Sequence, residues 1–141
     1  MARLAVFALL AAVLALTGCG GGTTDSAGDF KGAEQDVARA IEDLEEAGQE
    51  EESRRICQAL LAKEVVERIE ASGADCEKAV DKALDQTDTF TLTVESVRVT
   101  GTTARARVET GVDEEKVETI ELVREGDVWK ISGLPGAARG R

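Results

Sequence analysis

Two kinds of group give this chain chemical reach: three cysteines, Cys19, Cys57 and Cys76, and 28 acidic side chains. A thiol can take a lipid, a metal, a redox partner or another thiol. A carboxylate can move a proton, and a pair can serve as general acid and base. Histidine, tyrosine and asparagine are absent, so Ser-His-Asp and Cys-His arrangements are excluded. No glycine loop of the phosphate-cradling kind occurs. Asp85, Asp88 and Asp113 have the wrong spacing for a calcium loop. Cys57 and Cys76 have 18 residues between them, which suits neither a Cys-x-x-Cys redox pair nor a zinc site. No metal and no cofactor is expected, and no residue is nominated as catalytic.

The densest carboxylates are Glu42, Asp43, Glu45 and Glu46, followed by Glu50, Glu51 and Glu52. Most fall off the apolar stripe Val37-Ile41-Leu44, so they are expected to form a solvated helix face. Glu95 and Glu121 lie in strand-like stretches where the facing side is open. Arg105 and Arg107 share one strand; they could meet an acidic ligand, but pairing across the strand with Glu118 or Glu121 is the expectation. Trp129 is the only tryptophan. With Phe90 it either lines a pocket or fills the core, and with so few large side chains available the core is the expected place.

The first cysteine has a distinctive setting. Arg3 is the only charged side chain before Asp25, and an apolar run of 13 residues, Leu4 to Leu16, follows it. That is a short basic region and a hydrophobic region of secretory type. A bilayer-spanning helix needs about 20 apolar residues, so a permanent span is the weaker expectation. Leu16-Thr17-Gly18-Cys19 then resembles the lipobox of bacterial lipoproteins. That resemblance implies cleavage between Gly18 and Cys19 and a diacylglyceryl group on the Cys19 thiol. The partner so implied is the lipid bilayer, reached through acylated Cys19, on the extracytoplasmic face of the cell membrane.

The remaining two cysteines, Cys57 and Cys76, are an even pair in an exported chain, most simply a disulfide. The formal charge of −11 becomes one unit more negative once Arg3 leaves with a signal. A surface this acidic repels nucleic acid. Gly20 to Gly28 (GGGTTDSAG) reads as a flexible tether.

The elements that must position these groups change period midway. Asp29–Ala47 carries a helical stripe that Gly48 is placed to end. Glu50–Ala62 and Lys63–Ala71 continue helically, and Asp75 can cap a last helix over Cys76–Leu84. From Thr87 the alternation is that of strands. Phe90, Leu92 and Val94 alternate, the parity slips at Glu95-Ser96, and Val97 and Val99 take it up again, as at a bulge. Further strands are expected over Ala104–Val108, Val117–Arg124 and Val128–Ser132, with a turn at Gly111-Val112-Asp113. The fold class is therefore α+β: about three N-terminal helices on a bent antiparallel four-stranded sheet.

This order resembles the nuclear transport factor 2-like fold, and more narrowly the small actinobacterial lipoproteins of that type. The likeness rests on the lipobox at Cys19, Arg55-Ile56-Cys57 with its second Cys76, Val97-Arg98-Val99-Thr100-Gly101, and Val128-Trp129-Lys130-Ile131. It implies a cone-like sheet and this organisation: signal peptide 1–18, lipidated tether 19–28, domain 29–133, and an unstructured tail 134–141. The function expected is a non-catalytic module of the cell envelope, binding an envelope protein or a small apolar ligand. The alternative is a carboxylate-based enzyme of the same cone-shaped fold.

Overall fold

The computed structural model describes residues 26–111 and 116–134. The apolar run, Gly18, Cys19, most of the tether, the end of the turn at Val112-Asp113 and the tail beyond residue 134 lie outside the described residues. The class is α+β: the described residues form four α-helices and a four-stranded antiparallel sheet.

α1 spans Ala33–Gln49 and buries Val37, Ala38, Ile41, Leu44 and Ala47 along one side. Its first turn carries Glu34 and Asp36, which the helix dipole favours there. α1 ends two residues beyond Ala47, and Gly48 is not its stop signal. A Cβ on Gly48 would lie 2.5 Å from Cε1 and 2.9 Å from Cγ of Phe90. This glycine exists so that the Phe90 ring can lie against the helix backbone.

The residue that ends α1 is Glu51, the one non-glycine with positive φ (56°) among the described residues. Glu52 N–H donates to Ala47 O at 2.8 Å, and Glu51 N–H to Gly48 O at 3.3 Å. These are the paired bonds of a Schellman turn, whose left-handed position is usually glycine. Glu51→Gly is therefore expected to stabilise the fold by about 1 kcal/mol, read as a raised urea midpoint with unchanged slope.

The stretch expected to be one helix over Glu50–Ala62 is broken up. α2 covers only Ser53–Arg55, and a π-helical turn follows at Ile56–Leu60. Leu61 N–H donates to Ile56 O at 2.9 Å, the wider bond of a π turn. The extra residue releases the chain into an extended Leu61-Ala62 that reaches the sheet. α3 (Lys63–Ala71) and α4 (Cys76–Asp85) follow. Asp75 caps α4, accepting from Lys78 N–H at 3.0 Å, as the sequence suggests.

The strands β1 (Leu92–Thr100), β2 (Thr103–Thr110), β3 (Lys116–Glu125) and β4 (Val128–Gly133) form a meander in sequence order. Gly101, with φ of 61°, makes the tight turn between β1 and β2. The register shifts between Val94 and Ser96, the bulge expected from the parity slip. On either side of it Leu92 and Val94, then Val97 and Val99, point to the same face. That face also carries Ala104, Ala106, Val108, Ile120, Leu122, Trp129 and Ile131, all buried. Packing it against α1 and the π turn makes one core. Each large aliphatic buried there contributes about 1.5–3 kcal/mol.

Each edge strand of the sheet is met by a segment from outside it. At β4, Ala62 N–H donates to Ile131 O at 2.8 Å, and Lys63 N–H donates to Glu125 Oε1 at 2.8 Å. Lys130 Nζ reaches Ala59 O on the same edge. At β1, Val94 N–H donates to Ser26 Oγ at 3.4 Å. These contacts occupy backbone groups of Ile131 on β4 and of Val94 on β1.

The folded body also starts earlier than Asp29. Ala27–Asp29 form a 3₁₀ turn, and Ser26 and Ala27 are buried. Ala27 N–H donates to Glu42 Oε1 at 2.7 Å, and Gln35 Nε2 donates to Ala27 O at 3.3 Å. The last residues expected to belong to a flexible tether are held on α1 and β1.

Candidate functional site

Cys57 and Cys76 are joined in a disulfide, with Cα atoms 6.2 Å apart and both residues buried. The bond ties the π turn to the first residue of α4. Neither thiol is left for nucleophilic or metal chemistry.

The carboxylate cluster divides by direction. Asp43, Glu46 and Glu52 gather around Arg55, whose guanidinium lies 3.5, 3.0 and 3.0 Å from them. The hydrogen bonds Arg55 donates to Glu52 and then to Glu46 hold it still more firmly protonated than usual. The Arg55 of the Arg55-Ile56-Cys57 segment thus ties α2 to the outer side of α1. Each such surface pair is worth about 1 kcal/mol or less.

Glu42 and Glu45 do not belong to a solvated face. Glu42 holds Ser26-Ala27, and Glu45 is 3 % exposed. They fall off the Val37-Ile41-Leu44 stripe because they meet a different neighbour, the N-terminal turn and the start of β1. Gln49 Nε2 donates to Glu45 Oε1 at 3.1 Å. Burial raises the pKa of Glu45 above its ordinary 4.5; a bond from the Leu92 backbone N–H opposes this, and Glu42 adds to it.

The folded state therefore keeps a proton on Glu45 that the unfolded chain has released, over the interval from 4.5 up to the raised value. Through that interval Glu45 makes the protein more stable as pH falls and costs stability as pH rises. Glu45→Gln should melt higher than the parent at pH 7, and the difference should shrink as the pH is lowered towards 4.5. Thermal melts across that range check this. A difference independent of pH would count against it.

Trp129 is 6 % exposed and part of the core. Its remaining surface borders a shallow cleft beside Arg39, Asp43 and Asp127. Phe90 precedes β1, is half-buried against the core, and borders a second cleft with Gly48, Glu51 and Leu84. Trp129 thus stands at the core, and Phe90 at its margin. Between helices and sheet, the space is filled by apolar side chains from both layers. Among the described residues no group of three metal-ligating side chains converges. No helix among them is long and apolar enough to cross a membrane.

The opposite face of the sheet is left open by the described residues and carries most of the strand charges. Glu95 and Glu121 both face outward. Arg105 pairs with Glu121 at 3.1 Å as expected, but Arg107 pairs with Glu95 at 3.8 Å across the β1–β2 ladder. Glu118 lies in register with Val108 on the covered face, half-buried, and meets Lys116. A concavity of about 340 Å³ opens on the outer face, lined by Arg98, Thr100, Thr103, Arg105, Glu121 and Ser132. Sequence patterning did not single it out, because its parts come from four strands and only the register brings them together.

Comparison of the chain with protein-family models, with characterised proteins and with solved structures finds no match.

Proposed function

We propose that this chain is an extracytoplasmic lipoprotein, anchored in the cell membrane through acylated Cys19, whose folded domain is a non-catalytic binding module of the cell envelope. One observation carries the proposal. The disulfide takes Cys57 and Cys76, which leaves Cys19, at the end of the apolar run and in the lipobox pattern, as the remaining cysteine. Disulfides persist in exported proteins and are rare in the cytosol. Two acyl chains give the stable anchoring that one does not.

In this proposal the domain has the cone-shaped arrangement of nuclear transport factor 2-like proteins, with its cone filled by side chains. Glu45 is the one buried carboxylate among the described residues, and it serves the Leu92 N–H and Gln49. A carboxylate engaged in holding a strand edge supports binding over acid–base catalysis. The partner class follows from the open sheet face, which is where a ligand or an envelope protein would meet the domain.

The test is the intact mass of protein extracted from membranes with detergent, with thiols alkylated before and after reduction. A chain beginning at Cys19 with added diacylglyceryl mass is the expected result, with two thiols reactive only after reduction. Cys19→Ala should leave the protein in the aqueous phase on detergent partition. A parent chain without lipid, or with Cys57 and Cys76 freely reactive, sinks the proposal.

A further inference from the structure

We infer that the concavity on the outer sheet face binds a small hydroxylated anion, a sugar-sized molecule carrying one carboxylate or phosphate group. Arg98 and Arg105 are direct partners across β1 and β2. Like charges placed opposite each other on a ladder destabilise it. Arg105 is satisfied by Glu121, at 3.1 Å. Arg98 makes no ion pair among the described residues, in a chain whose formal charge is −11. Acidic side chains are plentiful, yet none among the described residues comes to Arg98.

The surroundings complete the fit. A guanidinium presents a planar fork of donors that matches carboxylate and phosphate oxygens. Thr100 and Ser132 place hydroxyls around the same concavity. Thr103 is turned to the backbone, its Oγ1 donating to Thr100 O at 3.1 Å. Glu121 Oε1 accepts from Arg105, whereas Oε2 lies over Gly133, where a Cβ would stand 3.1 Å away. With no side chain at Gly133, that oxygen stays open to accept a ligand hydroxyl. The volume of about 340 Å³ falls at the small end of ligand sites. An oxyanion at Arg98 and Arg105, with hydroxyls toward Glu121, Thr100 and Ser132, satisfies the whole set.

This deepens the proposal of a binding module and rests on it, without depending on the lipid. The experiment is calorimetric titration of the full chain in detergent with glucuronate, glucose 6-phosphate and uncharged glucose. Binding of one or both anions and none of glucose is expected, weakening as salt is raised; whichever anion binds names the oxyanion. Arg98→Thr should weaken that binding about tenfold or more while melting no lower than the parent, since it removes a like-charge pair. Arg107→Ala, outside the concavity, should bind within about twofold of the parent. No binding of either anion overturns the inference, as does equal binding of glucose or unchanged binding by Arg98→Thr. An Arg98→Thr protein that melts lower also overturns it, because Arg98 would then be a structural residue. None of these outcomes touches the anchoring proposal, which the mass and alkylation measurement decides by itself.

Discussion

Replacing Cys57 and Cys76 with alanine should cost about 3 kcal/mol of unfolding free energy, the chain-entropy value for a cross-link of this size. The two cysteines are 19 positions apart. In a domain of about 100 residues the loss corresponds to a fall in melting temperature of more than about 10 °C. The damage should be local at first. The bond is the covalent tie between the π turn and α4, and α4 buries only Cys76 completely. Hydrogen exchange should therefore show α4 opening before the sheet does. Melting the parent with and without reductant gives an independent measure. If the parent melts alike in both conditions, the pair contributes no stability.

Trp129→Ala should be the most damaging single substitution, at about 3–5 kcal/mol. Trp129 is the largest side chain in a core otherwise made of aliphatic residues and cysteines, and its β4 neighbours hold the chain at Leu61-Ala62. Domains of this size have about 5–15 kcal/mol in all, so a large share of stability would go. Circular dichroism in urea checks this, since the substitution removes the only tryptophan. Trp129→Phe should lose less, because the ring still fills most of the space. A Trp129→Ala protein within about 1 kcal/mol of the parent would show that the side chain lines a cleft and does not support the core.

The sheet was legible because period two is unambiguous when one face is apolar. Ala104, Ala106 and Val108 announced β2, and the parity slip at Glu95-Ser96 located the bulge. Asp75 announced α4 through its capping chemistry. Failures came where the deciding partner was distant in sequence. Gly48 has the look of a helix stop, but its partner is Phe90, and the left-handed stop falls on Glu51, a residue type that gives no such signal. Glu45 reads as solvated until β1 is placed beside it. The π turn leaves no mark in the apolar spacing of Ile56, Ala59 and Leu60. Arg98 looked like any polar strand position. Its like-charged neighbour appears only with the β1–β2 register.

In the proposed anchoring, the hold of Glu42, Gln35 and Val94 on Ser26 and Ala27 would set the length of the leash. With lipid on Cys19, seven Cα-to-Cα steps separate the acyl chains from the first fixed residue, a reach of roughly 25 Å at full extension. A leash running free through Gly28, with Asp29 as the first fixed residue, would be three steps longer. On so short a leash the domain would patrol the plane of the bilayer and make no long excursions away from it. A partner itself held in the membrane would be met according to its two-dimensional density, whereas a small soluble anion would have to diffuse to the membrane surface.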